Sequence, residues 1–477
     1  LTVLHVDRDF TQLARIEYSK LGGRCNTDAV DNSAGVDLSD HEVNLKILLQ
    51  EPLKRGEITE QERLEILRAN AEEVCRMVVH RNRQQAKIIS LGVYRSRRNL
   101  DYYKGLIRSL ESKGALDRKV EFLPDDEQLT KRSSLKAGLT RPELAILMAY
   151  MKMQLFETII KSNLPEQPFL QRYLVSYFPK SIVDRFPQYA QSHPLKREII
   201  ATQVANLMVE HMGATFVYRT AEETGAGIGD IITAFLAADS ILVADDIVRD
   251  LEVMNKAHQT QPHQRALLSV ARSLDSMTRW ILEHRTDALT WHELVARFKE
   301  PFHVLIKKTE SFLSEIELSR FQESRKKLVE SGFSHEHASM VAALVYSASF
   351  LDIVEISRHQ GEEVVEVAKL YDALASEFQL THLLEKIVGI EVSDRWEALA
   401  VRTMTAQLRG SVGQMTRRVI SELGAPTLDS MGQYLESRSE MVTRFRLSLR
   451  EFQHKNLTIP ALMVITNQLT ALSRGAK

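Results

Sequence analysis

Apolar residues that recur every three or four positions, in runs that open on capping residues, constrain this chain more than any other feature. They commit most of it to packed helices. Thr59 and Glu62 form a capping-box pattern, and Leu64, Leu67, Ala71, Val74 and Val78 then repeat on one face of a long helix. Thr140, with Pro142 in the first turn and Glu143 at the box position, predicts another start, followed by Leu144, Leu147, Met151, Leu155 and Ile159. The Met148, Met151 and Met153 cluster there reads as adaptable packing. A third face carries Ile200, Val204, Leu207 and His211, Ser334 reads as the cap for the apolar run Met340–Leu351, and Ser393-Asp-Arg-Trp396 starts a further helix. Glu121–Glu127 breaks the period and reads as a connection, and Ala471–Lys477 as a frayed tail.

Composition narrows the partners. With 62 basic against 63 acidic residues, no overall field draws the chain to nucleic acid or to an anionic membrane. Tyr94, Arg95, Arg97, Arg98, Tyr102 and Tyr103 interleave aromatic and basic side chains, but one short patch on a neutral protein reads as a solvated helix face. The two cysteines, Cys25 and Cys75, build neither a disulfide framework nor a multi-cysteine metal site, which suits a reducing cytoplasm. His335-Glu336-His337 lacks the spacing that sets two imidazoles around zinc. Met340–Leu351 stops at Asp352, short of the ~20 residues a membrane span needs, so a soluble chain is expected.

The run Asn26-Thr-Asp-Ala-Val-Asp-Asn-Ser-Ala-Gly-Val-Asp-Leu-Ser-Asp-His-Glu-Val-Asn-Leu-Lys46 departs from the helical background. Ala29 and Val30 before the polar break at Asp31 and Asn32 predict the end of a buried strand, Gly35 a turn, and Ser39 with Glu42 a capping box at a helix start. Strand, turn and helix N-terminus are where open α/β sheets place anionic ligands. Read alone, Ser39 is a cap, Asp31, Asp37 and Asp40 are turn and first-turn residues, and His41 is a helix-surface residue.

Residues Asn32-Ser-Ala-Gly-Val-Asp-Leu-Ser-Asp-His-Glu-Val-Asn44 resemble the same run in the very large bacterial NAD-dependent glutamate dehydrogenases. The segments around Leu139–Leu144 and Lys196–Met208 also resemble that family. Smaller glutamate dehydrogenases carry a related turn with a glycine where Ala34 stands, so the local backbone path differs there. The resemblance implies that Asn32 lies near the nicotinamide of NAD, that Val36 lines the substrate pocket and that Ser39 hydrogen-bonds the distal carboxylate of glutamate. It also implies a predominantly α chain: residues 1–118 as the C-terminal part of the catalytic region, ending an α/β Rossmann-like nucleotide-binding domain, and 119–477 as a large helical C-terminal domain.

A dehydrogenase of this kind needs a glycine cradle for the dinucleotide and a basic residue for imine chemistry. Gly225-Ala-Gly227-Ile-Gly229 follows the polar Thr220–Thr224 rather than a strand, and reads as a loop between helices. The resemblance places the catalytic lysines and the nucleotide fingerprint before Leu1, so a C-terminal part, inactive alone, is expected. Two functional classes stay open. One is part of an oxidoreductase that converts glutamate to 2-oxoglutarate and ammonium with hydride transfer to NAD, in a cytoplasmic homo-oligomer. The other is a non-catalytic helical scaffold or regulatory module.

Overall fold

The computed structural model describes residues 10–253, 260–284, 289–390, 392, 395–452 and 457–474. Among the described residues every regular element is a helix, and none is a strand. This overturns the expected end of a Rossmann-like α/β domain. Ala29 and Val30 lie in a one-turn helix, Asp28–Asp31, with no second strand for them to pair with. The next helix, α1 (Ser33–Leu48), already runs through Gly35, a residue that costs a helix only about 1 kcal/mol against alanine. Ser39 is therefore mid-helix and caps nothing, and Glu42 pairs with Lys46 one turn on.

The chain divides into two compact units, Leu1–Ile232 and Thr233–Lys477. In the first, α2 (Glu60–Arg98), α3 (Arg141–Ile160) and α4 (Lys196–Met212) pack on one another, and α1 lies along α2. Thr59 opens α2 with a closed capping box: its hydroxyl accepts from the Glu62 amide, and the Glu62 carboxylate accepts from the Thr59 amide at 2.7 Å. The buried stripe of α2 is Ile66, Asn70, Val74 and Val78, while Leu64 is half exposed. The expected face was rotated because a polar residue, Asn70, belongs to the true one. Its amide donates to the Ile66 carbonyl and its oxygen accepts from Ser181, which makes its burial tolerable.

On α3 the five expected apolar residues are all buried. Glu143, 1% exposed, accepts the Thr140 amide and a two-pronged Arg132 contact at 2.8 Å on each oxygen. Ile200 and Val204 are buried on α4, with Leu207 and His211 half-buried. The glycines 225–229 form the turn between helices Phe216–Thr224 and Ile228–Leu242, with Gly225 in the left-handed region at φ 69°. Residue 118 lies between helices Leu100–Ser112 and Asp126–Ser134. The aromatic-basic patch is divided: Tyr94, Arg97 and Arg98 are exposed, with Arg98 stacked on Tyr94, whereas Tyr103 is buried and Arg95 donates to the Met212 carbonyl.

The second unit is a bundle of α5 (Thr260–Glu283), α6 (Ser347–Gln360), α7 (Val364–Glu377), α8 (Arg395–Leu423) and α9 (Ile459–Arg474). α6 packs against α5, α7 and α8, and α9 against α8. Ser334 caps helix His335–Ala343, so the apolar run from Met340 crosses that helix, a 3-10 turn and the start of α6. By length and composition His335–Gln360 could cross a membrane, yet 72% of its most apolar window is buried against neighbouring helices. Ser393 and Asp394 of the expected helix start lie outside the described residues, as do 475–477, and α9 stays helical through Arg474.

Candidate functional site

The segment 26–46 is held from inside by polar contacts. Arg15, 1% exposed, donates to the Asn26 carbonyl at 3.3 Å and to the Asp31 carboxylate at 3.0 Å. The Asn26 side chain donates to Asp31 at 2.7 Å and accepts from Arg141 at 3.1 Å. Asn82 of α2 donates to the Val30 carbonyl and to the Ser33 hydroxyl, tying the entry of α1 to the long helix. Arg15, Asn26 and Asp31 thereby satisfy one another on burial, whereas the buried Thr27 hydroxyl has no hydrogen-bond partner among the described residues.

Along α1 itself, Asp37, His41 and Asn44 face inward at helical spacing. One Arg81 nitrogen reaches both Asp37 oxygens at 2.9 and 3.2 Å, and the other donates to the Gln203 amide oxygen on α4 at 2.8 Å. His41 is fully buried, its ring stacked on Tyr177 at 4.1 Å and 11°, with no hydrogen bond at either nitrogen. Burial, with the Arg81 cation nearby, pushes its pKa down to about 4, so the ring is neutral at pH 7. Asn44 donates to the Tyr177 hydroxyl at 2.9 Å, and burial pushes that phenol up to about 12. The Leu195 amide donates to Nδ1 of His193, which leaves Nε2 as donor to the Asn44 carbonyl at 3.1 Å. Close by, Lys152 of α3 and Glu210 of α4 pair at 3.4 Å; burial lowers the pKa of the ammonium and raises that of the carboxyl.

The outward stripe of α1 is Asn32, Val36, Ser39 and Val43, spaced four, three and four residues apart. Asn32 and Ser39 are exposed, their side chains without a hydrogen-bond partner among the described residues, and Val36 and Val43 are 59% and 49% exposed. The three expected site residues, Asn32, Val36 and Ser39, thus share one open face. A Cβ on Gly35 would come within 3.0 Å of the Asn32 amide oxygen, so glycine gives that side chain room. The stripe offers an amide, a hydroxyl and apolar surface but no titratable group. It can orient a ligand, and Asp40, exposed one turn from Val36 and Val43, adds a carboxylate at its edge.

Sequence reasoning passed over the inward set. His41 was expected on the surface and is fully buried, and Arg81, Tyr177, Gln203, Lys152 and Glu210 were assigned no role at a site. The readable signal was an inversion: polar residues at positions 37, 41 and 44, with valines at 36 and 43 immediately before two of them.

These features define an all-helical support that carries one ordered, outward-facing wall. Residues 136–471 match the family model described as glutamate dehydrogenase, C-terminal, and residues 6–92 match that described as bacterial NAD-glutamate dehydrogenase, catalytic domain. The chain belongs to this glutamate dehydrogenase family. It is 34% identical over 460 residues to the NAD-specific glutamate dehydrogenase of Pseudomonas aeruginosa, covering 96% of this chain and 28% of that protein. Proteins of the same name from Halomonas elongata and Mycobacterium tuberculosis are 32% and 29% identical, covering 92% and 97% of this chain. The chain spans 27% and 29% of their lengths. The outward stripe lies in the stretch matched as catalytic domain, whereas Lys152, Tyr177, His193, Gln203 and Glu210 lie in the stretch matched as C-terminal.

Proposed function

We propose that this chain supplies one wall of the active-site cleft of a cytoplasmic, homo-oligomeric NAD-dependent glutamate dehydrogenase, together with the helical body that supports it. The reaction is oxidative deamination of glutamate to 2-oxoglutarate and ammonium through an imino acid. The observation that carries this reading is the contrast on α1: the inward polar residues are engaged by the chain's own side chains, while Asn32 and Ser39 stand open beside exposed valines.

Ser39 donates its hydroxyl to the distal carboxylate of glutamate, and Val36 packs against the aliphatic part of the substrate. Asn32 stands at the nicotinamide end. Its amide, both donor and acceptor, fits a carboxamide partner, and Gly35 keeps it unobstructed. NAD, when bound, accepts the hydride. The glycines 225–229 join two helices with no strand before them, so the pyrophosphate is not assigned to them. Proton transfer belongs to lysines outside this chain. Residues 1–118 complete the catalytic region in this reading, and residues 119–477 form the helical body, which serves support, oligomer contacts or regulation.

Glutamate-dependent NADH formation by the full-length polypeptide, beside a version truncated after about residue 118, tests this. Turnover by the full-length protein is expected. A full-length protein that folds and binds NAD yet never turns over glutamate would leave the scaffold reading in its place.

A further inference from the structure

We infer that Tyr177 and Gln203, from the stretch matched as glutamate dehydrogenase C-terminal, are positioning residues that set the rotation of α1 and hence the direction of Ser39. This rests on the reading of Ser39 as a substrate contact. Ser39 sits two residues from both Asp37 and His41. At 100° per residue, those two side chains point away from it on either side of the opposite face, so fixing them fixes the Ser39 azimuth.

Each has a separate anchor from distant sequence. Asp37 is gripped by Arg81, whose second nitrogen is fixed by Gln203, and the Gln203 side-chain nitrogen is buried without a partner. The amide cannot profitably turn over, because its oxygen is the group that meets the Arg81 donor. His41 lies flat on Tyr177, and the Tyr177 hydroxyl takes the Asn44 amide one turn further on. Two contacts at different heights along a helix oppose its rotation where one would leave a pivot.

The test uses the full-length enzyme with steady-state kinetics for glutamate and for norvaline, which lacks the distal carboxylate. Gln203→Leu removes the acceptor for Arg81 and is expected to raise KM for glutamate roughly threefold to tenfold, with kcat and the norvaline parameters within about twofold. Gln203→Glu keeps an acceptor oxygen and should hold KM near the wild-type value. Tyr177→Phe keeps the ring under His41 and loses only the hydroxyl, so it supplies a second arm if Gln203→Leu fails to fold. Unchanged KM for glutamate in both lesions, a loss confined to kcat, or a Gln203→Glu variant as impaired as Gln203→Leu would overturn the assignment. Ser39→Ala run alongside separates the failures. If Ser39→Ala raises KM while Gln203→Leu and Tyr177→Phe do not, only the positioning role is lost; if all three are silent, the substrate role of Ser39 falls with it.

Discussion

α1 of the first unit and α6 of the second bury opposite kinds of surface. α6 is sunk among apolar neighbours: Phe350, Leu351, Ile353, Val354 and Ile356 are at most 3% exposed, and its two buried acids are both engaged, Asp352 by the Trp280 indole and Glu355 by the His359 ring, each at 2.8 Å. α1 turns Asp37, His41 and Asn44 inward and leaves Val36 and Val43 outside. Burying a valine is worth roughly 1.5–3 kcal/mol, and burying a charge costs several unless it is paired. α6 follows that arithmetic and α1 runs against it. A helix that leaves apolar side chains open on one face and keeps a dense polar clamp on the other holds its outer face in a fixed direction.

The widest separation between the two roles should appear in activity. The chain by itself is expected to fold with strong helical circular dichroism and to form no NADH from glutamate, since it supplies only one wall of the cleft. Measurable glutamate turnover by the purified chain would refute a one-wall contribution.

The clamp on α1 should then show a large stability effect. Arg81→Ala leaves Asp37, 20% exposed, facing the interior with no cation, and loss of one partner from such a pair costs about 3–5 kcal/mol. Chemical denaturation of the chain measures this. A change below about 1 kcal/mol would mean that water already does the work of Arg81.

Acid should act on the two units in opposite senses. Unfolded, His41 takes up a proton near 6.5; folded, only near 4. Its contribution is intact above pH 6.5 and is lost as pH falls towards 4, by about 3 kcal/mol. Asp372 of α7 is buried and accepts the Ser314 amide at 2.6 Å; burial raises its pKa from 3.8 to about 6. Folding therefore favours its protonated form. Stability on its account falls as pH rises from about 4 to about 6, again by about 3 kcal/mol, and is flat above. His41→Phe keeps a ring on Tyr177 and should flatten the acid loss, and Asp372→Asn should flatten the opposite slope. Unfolding midpoints against pH for both variants and the wild type decide it; parallel curves would contradict both assignments.

The contrast also explains what the sequence made legible. Local signals carried through: the Thr59–Glu62 box and the α3 stripe are decided by residues within a few turns of one another. The stripe of α2 was rotated because Asn70 stands where an apolar residue was expected. The strand at Ala29–Val30 was misplaced because a turn-like composition around Gly35 hides a helix that begins at Ser33 and tolerates the glycine. At the site, the family resemblance pointed to Asn32, Val36 and Ser39, which fall on one open face. The clamp behind them was invisible because its partners are distant in sequence: Arg81 lies 44 residues from Asp37, Gln203 122 residues from Arg81, and Tyr177 133 residues from Asn44. No periodicity reaches that far.

The smallest expected change is also the most direct. Ser39 is an exposed residue within a helix, so Ser39→Ala should leave stability within about 0.5 kcal/mol of wild type. In the full-length enzyme it removes one hydrogen bond to a carboxylate, of the kind worth about 1.5–3 kcal/mol. Steady-state kinetics with glutamate and with norvaline isolate that bond. A roughly tenfold to hundredfold fall in kcat/KM for glutamate, with norvaline unchanged, is the result expected if the outer face of α1 is a substrate wall. Equal effects on the two substrates, or none on either, would contradict it.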